Sequence, residues 1–238
     1  MCPNNSLDSI ENELLNKYSE ISLKFIKNDK NHGFAKAQNN GMKNVKAKYH
    51  FVLNPDTVFI NGQSIIRRIY EFMEQNPKVG IAGPKIVYPD GKRQNSCYRF
   101  PKFFQPLYSR TKLGQIGNGK KVYDSYFMND FEHDETIPVD WIMGAAMFVR
   151  QDAIDEVGMF DERFWMYAED SDWCRRMWER GWYVYFIHDA SIQHDHGRGS
   201  AKTPGIFKSL LKNKLARAHL KSWFQYMWKW RGTNKYYV

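Results

Sequence analysis

Three carboxylates, Glu169, Asp170 and Asp172, lie within a stretch of four residues and follow a segment rich in aromatic residues, 160–167. Apolar surroundings disfavour the charged form of a carboxylate, so its pKa rises toward the range where it can take a proton from a substrate hydroxyl. The same acids also suit the first turn of a helix, and Asp172 lies four residues before Arg176. The cluster therefore indicates either a general base or a helix start with an ion pair.

A second acidic position follows the predicted strand 49–53, in the turn Asn54-Pro55-Asp56. Ligands of open α/β sheets collect at the carboxyl ends of strands. A carboxylate placed there can hold a divalent cation, and the cation can neutralise a diphosphate. The same three residues also make an ordinary turn, so the motif alone leaves both interpretations open.

Two further segments carry candidate residues. Trp141 is followed by the small residues Gly144 and Ala145, which let a ligand or a backbone segment approach closely, or which form a buried turn. His194 and His196 are two residues apart and could supply a metal ligand. Because no cysteine accompanies them, a closed zinc site is not expected, and a buried, hydrogen-bonded histidine is the plainer alternative.

The hydrophobic pattern predicts strands that alternate with helices. The predicted strands are 22–27, 49–53, 79–87 with a break at its centre, 139–149 and 183–187, and the predicted helices are 8–17, 34–45, 62–75, 151–157 and 168–180. Residues 100–137, rich in aromatic residues, Gly and Lys, are predicted to form an irregular loop that is either mobile or substrate-facing. This order indicates an α/β fold with a mostly parallel sheet flanked by helices.

The composition bounds the class of protein. A chain of 238 residues, 42 % hydrophobic, suits one α/β domain with a short appendage. No segment approaches the roughly 18 uncharged apolar residues that span a bilayer, which excludes a polytopic membrane protein. No signal peptide is expected at the N-terminus, and three widely spaced cysteines favour a reducing compartment. We therefore expect a cytoplasmic location.

The positive charge is concentrated near the C-terminus. Ten of the 35 cations and none of the 26 acids lie after residue 196. Leu220, Trp223, Phe224 and Met227 fall at helical spacing among these cations, as in a helix that lies in a membrane interface. A helix docked on the core with a solvated basic face is an equal alternative. Nucleic-acid binding is not favoured because no reading motif accompanies the charge.

Seven segments, taken in order, form a recognisable series. They are Gly33-Phe34-Ala35-x-Ala37-x-Asn39-x-Gly41, Leu53-Asn54-Pro55-Asp56, Gly83-Pro84-Lys85, Gly144-Ala145 followed by Arg150, Phe160-Asp161-Glu162-x-Phe164, Glu169-Asp170-x-Asp172-x-x-x-Arg176 and His194. The series resembles the family 2 glycosyltransferases with a GT-A fold, and most of all their rhamnosyltransferase branch. The resemblance covers nearly all of residues 3–200, and implies a GT-A domain over 1–200 followed by a basic, aromatic helical tail over 201–238.

On the donor side, the resemblance implies that Asp56 holds Mg²⁺ or Mn²⁺ against the diphosphate of a nucleotide sugar. Asn54 stands in place of the first acid of the DxD-like motif, and His194 is implied as a further metal or diphosphate contact. Ala35 and Asn39 are implied to line the nucleotide pocket.

On the acceptor side, the resemblance implies that Trp141, Gly144 and Ala145 border the sugar and the acceptor. Asp170 is implied as the general base that deprotonates the acceptor hydroxyl, with Glu169 as the alternate candidate. A base on the acceptor and a cation on the leaving diphosphate are what an inverting transfer needs.

The reaction implied is transfer of a sugar from a dTDP- or UDP-sugar, with rhamnose from dTDP-rhamnose as the expected donor. The implied acceptor is a glycan or a polyprenyl-linked sugar in surface and cell-wall polysaccharide synthesis, reached at the inner face of the plasma membrane through the tail.

The sequence departs from the family at its start. Residues 3–6 correspond to the turn after the second strand, with Asn5 implied as a donor contact and Pro3 where a base-contacting Asp is expected. The first strand and helix, roughly 30 residues, have no counterpart, so the resemblance implies an N-terminally truncated fold. A catalytically impaired, glycosyltransferase-like binding protein is therefore the alternative function.

Overall fold

The computed structural model describes residues 14–15, 17–18, 20–60, 64–195, 213–233, 235 and 237–238. The chain divides into two compact units, residues 1–32 and 33–238. In the first unit, Leu14, Leu15 and Lys17 are helical, while the rest of the predicted helix 8–17 and the predicted donor contact Asn5 lie outside the described residues. The predicted strand 22–27 is wrong, because no described segment of this unit pairs with it in a sheet.

The described part of the second unit contains seven α-helices and nine strands. The helices are α1 (Phe34–Lys43), α2 (Ile65–Gln75), α3 (Gln105–Arg110), α4 (Gly117–Tyr126), α5 (Gln151–Val157), α6 (Glu169–Glu179) and α7 (Lys214–Lys229), with a 3₁₀ turn at Lys112–Gln115. The strands are β1 (Tyr49–Leu53), β2 (Thr57–Phe59), β3 (Val79–Val87), β4 (Arg93–Gln94), β5 (Cys97–Tyr98), β6 (Ile137–Pro138), β7 (Trp141–Ile142), β8 (Ala146–Arg150) and β9 (Tyr183–His194).

The main sheet has the order β1-β8-β3-β9-β2, with β4 added to β3 and β6 added to β9. Only β3 and β9 pair in parallel, so the predicted α/β class holds but the predicted mostly parallel pairing is wrong. The reason lies in the connection to β8. Ala146, the first residue of β8, lies beside Leu53, the last residue of β1, so β8 starts at the carboxyl end of β1 and runs back along it antiparallel.

Helices cover both faces of this sheet. Adjacent residues of β3 point to opposite sides, so Ile81 packs with Trp173 and Met177 of α6, while Ala82 packs with Ile69 of α2. Burial on both faces explains why β3 is apolar along most of its length. The core is therefore a layered α/β/α arrangement in which α6 is pressed against the sheet.

Residues 100–137 are more regular than predicted. They contain α3, the 3₁₀ turn and α4 instead of an irregular loop. The first of these helices starts at Gln105-Pro106, where proline is tolerated because its missing N–H would be unpaired in any case. Aromatic contacts such as Tyr98 with Tyr126 fix the segment against the two-stranded sheet β5–β7.

The C-terminal helix α7 is attached to α6 by buried polar contacts. Asn213 caps the helix, its Oδ1 accepting the backbone N–H of Leu215 at 2.9 Å. Asp172 of α6 is fully buried and accepts from Lys229 Nζ at 2.7 Å and from Trp230 Nε1 at 2.9 Å. Over the residues with described structure, no helix is long and apolar enough to cross a bilayer.

Candidate active site

A cavity of about 360 Å³ opens at the edge of the sheet where β1, β3 and β9 end. It brings together residues that are far apart in sequence. Predicted site residues that line it are Asn54, Trp141, Gly144, Ala145, Glu169, Asp170 and His194. The acidic start of α6 therefore faces the same space as the turn after β1, as the resemblance implied.

Asp170 is held at the cavity wall by backbone groups. Its Oδ2 accepts the N–H of Gly144 at 3.0 Å, and its Oδ1 accepts the N–H of Ser171 at 2.8 Å. Burial raises the pKa of Asp170, while these hydrogen bonds oppose the rise. A half-buried carboxylate with a raised pKa and a fixed orientation is suited to take a proton from a hydroxyl group.

Glu169 lies beside Asp170 with only 5 % of its surface exposed. Among the described residues, Oε2 of Glu169 has no hydrogen-bond partner. Burial first, and the charge of Asp170 second, raise the pKa of Glu169 well above its ordinary value. A buried carboxyl group with a free oxygen at a cavity wall is available to a bound substrate.

The turn that presents these acids is strained. Tyr167 and Ala168 both have positive φ angles, 70° and 67°, which non-glycine residues rarely adopt. Each such residue costs roughly 1–3 kcal/mol, and strain of this kind is found at functional sites. Met166 is held in place by Ser222, whose hydroxyl donates to its carbonyl at 2.8 Å. The strained turn is therefore supported by the C-terminal helix.

The turn is also fixed from the side of α1. Gly33 has a φ of 87°, and a Cβ atom at this position would lie 2.0 Å from the carbonyl oxygen of Trp165. The same carbonyl accepts the N–H of Phe34 at 2.9 Å. Only glycine permits this approach, which explains the glycine at the start of the Gly33-Phe34-Ala35 motif.

A second polar corner of the cavity lies at the ends of β1 and β9. Oδ1 of Asp56 is 3.2 Å from Nε2 of His194, and Nδ2 of Asn54 is 3.4 Å from the same nitrogen. Nδ1 of His194 lies 3.2 Å from Oε1 of Gln94, which orients the imidazole ring. His194 is buried and lines the cavity, whereas Asp56 is half-exposed and is not one of the lining residues. Asp56 therefore adjoins the cavity through its contact with His194.

This corner fits a cation that is shared with a bound diphosphate. Within the described ranges, no group of three or more His, Cys, Asp and Glu side chains could hold a metal ion by itself. One carboxylate, one imidazole and the amide oxygen of Asn54 nevertheless make a partial ligand set. Magnesium is commonly held by one or two carboxylates together with substrate phosphates, so the residues present fit that arrangement.

The structure does not bring Ala35 and Asn39 to the cavity. Both are buried in α1 and neither lines the cavity. The Asn39 amide bonds to the backbone of Phe160, donating to the carbonyl at 2.9 Å and accepting the N–H at 3.0 Å, and it also donates to Glu162 at 3.1 Å. Its visible role is to hold the loop that precedes the acidic turn.

An aromatic wall faces the acids. Trp141 stacks on Tyr98 with ring centres 4.2 Å apart, and its indole N–H donates to the carbonyl of Arg99 at 3.0 Å. Tyr126 of α4 also lines this side. Flat, fixed aromatic surfaces of this kind suit the apolar face of a sugar ring or an acceptor.

Several lining residues were not predicted. Tyr98 and Tyr126 belong to segments without a recognised motif, and His219, Trp223 and Tyr226 come from α7. The helical spacing of the tail indicated an apolar face but not what that face covers. The aromatic richness of residues 100–137 was the available signal for Tyr126.

The chain was compared with protein families and with individual proteins. Residues 51–233 match the family "Glycosyl transferase family group 2". One similar protein is N-acetylglucosaminyl-diphospho-decaprenol L-rhamnosyltransferase of Mycobacterium tuberculosis, 29 % identical over 153 residues, which are 64 % of this chain and 48 % of that protein. Another is dTDP-rhamnosyl transferase RfbF of Shigella flexneri, 26 % identical over 180 residues, which are 74 % of this chain and 53 % of that protein. The chain thus spans about half the length of these relatives.

Solved structures share the fold at low sequence identity. GalNAc-T7 with UDP, GalNAc and Mn²⁺ has a TM-score of 0.63 and 12 % identity, covering 98 % of this chain and 41 % of that one. Mannosyltransferase PcManGT from Pyrobaculum calidifontis with GDP-Man and Mn²⁺ has a TM-score of 0.53 and 13 % identity. The match covers 98 % of this chain and 65 % of that one. The predicted GT-A fold is confirmed, and the chain belongs to the glycosyl transferase family group 2.

Proposed function

We propose that this protein transfers a sugar from a nucleotide-sugar donor to a glycan or lipid-linked acceptor in the synthesis of a cell-surface glycan. The observation that carries the proposal is the shared cavity. Asp170 lines one side of it, and His194, with Asp56 at 3.2 Å, lines the other. The printed activities of the two rhamnosyltransferase relatives support the same conclusion.

The chemistry assigned to the acidic side is a single displacement. Asp170 takes the proton of the acceptor hydroxyl as its oxygen bonds to the anomeric carbon, and the bond from that carbon to the nucleoside diphosphate breaks. Attack on the face opposite to the leaving group inverts the anomeric configuration. Glu169, whose raised pKa favours its protonated form, is placed to donate a hydrogen bond to the substrate and is the alternate base.

We assign the polar corner to the donor diphosphate. Asp56, His194 and Asn54 are the residues that would hold Mg²⁺ or Mn²⁺. The cation supplies positive charge that stabilises the departing diphosphate. Two solved structures with this fold contain Mn²⁺, which supports the use of a divalent metal here.

We further propose rhamnose from dTDP-rhamnose as the donor and a polyprenyl-linked sugar as the acceptor, because the two relatives are named for these activities. A UDP-sugar is the second donor to test. Trp141, Gly144 and Ala145 would border the transferred sugar and the acceptor. Asn5 remains predicted as a donor contact. Ala35 and Asn39 are not proposed as direct contacts, because they are buried away from the cavity, and Asn39 would act through the loop that it holds.

The division of labour along the chain is also a proposal. Residues 1–200 would carry the transferase chemistry, while residues 201–238 would complete the acceptor side and contact the inner face of the plasma membrane. The contribution of His219 and Trp223 to the cavity wall supports the first role of the tail. Its ten cations without an acid support the second.

A donor screen tests the proposal. Thermal unfolding would be followed with dTDP-rhamnose, UDP-sugars and GDP-mannose, each with and without Mn²⁺, because a ligand that binds only the folded protein raises its apparent stability. A metal-dependent stabilisation by one sugar nucleotide, followed by sugar transfer to an acceptor, is the expected result. The alternative of a non-catalytic, glycosyltransferase-like binding protein predicts binding without transfer.

A further inference from the structure

A second concavity lies next to the catalytic cavity. This groove, about 420 Å³ in volume, runs between the segment before α3 and the C-terminal end of α7. We call it the aromatic groove. Its lining consists of Phe100, Pro101, Lys102, Phe103, Arg175, Phe224, Tyr226, Met227, Trp228, Trp230, Arg231, Gly232, Thr233 and Lys235.

The aromatic groove combines apolar walls with positive charge. Phe103 and Phe224 are each 55 % exposed and Trp228 is 71 % exposed, which leaves a large apolar surface in water. Four of the lining residues are cations, and none of the residues described in the lining is acidic. An exposed apolar surface of this kind marks a binding site, and the charge selects an anionic, amphiphilic ligand.

The cations are held by rings and by backbone groups. The Arg175 guanidinium lies 4.7 Å from the centre of the Phe100 ring and 5.0 Å from that of Trp230. Arg231 lies 4.2 Å from the ring centre of Trp228. Among the described residues, no carboxylate forms an ion pair with Arg175, Arg231 or Lys235, and the buried Nε of Arg175 has no hydrogen-bond partner. The buried Arg175 also acts electrostatically on the carboxylate of Asp140, so the exposed Arg231 and Lys235 are the cations left to attract an anion.

The two walls of the groove are tied together by Asp140. One carboxylate oxygen accepts the N–H of Phe100 at 2.8 Å and the other accepts the N–H of Tyr237 at 2.9 Å. This residue is fully buried. The groove is thus part of the packed structure of the second unit. This packing favours a binding site that is preorganised for its ligand.

The aromatic groove adjoins the catalytic cavity. Pro101 and Tyr226 line both spaces. The Tyr226 hydroxyl accepts a hydrogen bond from Arg175 at 3.2 Å, which places a cation at the junction. A ligand that occupies the groove and extends toward Asp170 would therefore pass the guanidinium of Arg175.

We propose that the aromatic groove binds the isoprenoid diphosphate part of the acceptor, with the diphosphate near the cations and the isoprenoid chain along the aromatic walls. This rests on the proposed function, in which the acceptor sugar reaches Asp170 through the catalytic cavity. The groove determines which acceptors are used, because it adds apolar and ionic contacts that a free sugar lacks.

Direct binding tests the groove without relying on turnover. Calorimetry would compare geranylgeranyl diphosphate, the alcohol geranylgeraniol and inorganic diphosphate on the full chain. We expect the diphosphate ester to bind at least tenfold more tightly than either part alone. Trp228→Ala and Arg231→Glu should each weaken it about tenfold. The matched controls Tyr70→Ala and Lys46→Glu change exposed residues elsewhere and should leave its affinity within twofold.

A transfer assay then relates the groove to the acceptor. In Trp228→Ala, the ratio of kcat/KM for an isoprenoid-linked acceptor to kcat/KM for a short, water-soluble acceptor should fall about tenfold, mostly through KM. Circular dichroism and the Tm confirm that the variants are folded.

Three results separate the possibilities. Equal affinity of the groove variants and wild type for geranylgeranyl diphosphate overturns the proposal. Binding to phosphatidylglycerol vesicles that needs Trp228, with no preference for the isoprenoid diphosphate, also overturns it and makes the surface a membrane contact. Isoprenoid diphosphate binding that depends on the groove, in a protein that transfers no sugar from any donor, supports the groove and rejects the proposed function.

Discussion

The backbone N–H of Gly144 donates a hydrogen bond of 3.0 Å to Oδ2 of Asp170 and joins the turn before β8 to the first turn of α6. These residues are 26 positions apart in sequence. A Cβ atom at position 144 would lie 3.5 Å from Cβ of Asp170, an ordinary contact distance. The contact fixes the proposed base relative to the sheet edge where the donor is expected.

Replacing Asp170 tests the base directly. In Asp170→Asn the amide oxygen can still accept the Gly144 N–H, but the side chain can no longer take a proton. General-base catalysis typically contributes 10²–10⁴-fold, so we expect kcat to fall by about that factor while donor affinity stays within twofold. Steady-state transfer kinetics and calorimetry with the donor check this. Asp134→Asn, an exposed acid, is the control, and a turnover in Asp170→Asn equal to that of Asp134→Asn rejects the role.

The raised pKa of Glu169 predicts a pH-dependent stability. The folded protein keeps the Glu169 proton to a higher pH than the unfolded chain, whose ordinary value is 4.5. As the pH rises from about 4.5 through the folded-state pKa, the folded state therefore loses stability at up to about 1.4 kcal/mol per pH unit.

Glu169→Gln removes the pH-dependent part of the stability that comes from Glu169 and leaves the part that comes from Asp170. Denaturant unfolding at pH 5 and pH 8 measures the difference. We expect the variant to lose less stability than wild type between these two pH values. Equal losses in the two proteins would show that the carboxyl group is not held protonated by burial.

The cation corner predicts a metal-dependent loss of donor affinity. Asp56 is the carboxylate beside His194, so Asp56→Ala removes the charged ligand of the pair. We expect nucleotide-sugar binding in the presence of Mn²⁺ to weaken at least tenfold, with little change when the metal is chelated. Calorimetry under both conditions makes the comparison. If the loss is the same with and without metal, Asp56 acts on the donor in another way.

The attachment of α7 predicts a large stability effect at Asp172. This carboxylate contacts Arg176 at 3.0 Å, Lys229 at 2.7 Å and Trp230 at 2.9 Å while fully buried. Asp172→Asn removes the counter-charge of Arg176 and leaves Lys229 only its contact with Asp161 at 2.8 Å. It should therefore lower the free energy of unfolding by about 3 kcal/mol. Urea unfolding measures the change.

The exposed pair of Arg67 with Glu71 is the matched control for that measurement. Because exposed ion pairs contribute little, Arg67→Ala should change the free energy of unfolding far less than Asp172→Asn does. A loss in Asp172→Asn no larger than this control would mean that the buried network does not hold the helix in place.

The sequence by itself determined the family, the α/β class and most of the elements. The spacing of the acids around Asp170, the turn Asn54-Pro55-Asp56 and the small pair Gly144-Ala145 predicted a site at the carboxyl edge of a sheet. These features are local, because strand endings, helix starts and tight turns are encoded by neighbouring residues. The predicted ion pair of Asp172 with Arg176 is also present, because it depends only on the four-residue spacing within one helix.

Only the tertiary structure decided the direction of β8, the burial of Asn39 away from the cavity and the contribution of α7 to the cavity wall. Each depends on which segments meet across long separations in sequence, as when Ser222 holds the backbone of Met166. Periodicity shows that a helix has an apolar face but not which surface that face covers, because the partner is selected by packing in the folded core. The aromatic groove follows from the same packing, since residues near position 100 and residues near position 230 form it together.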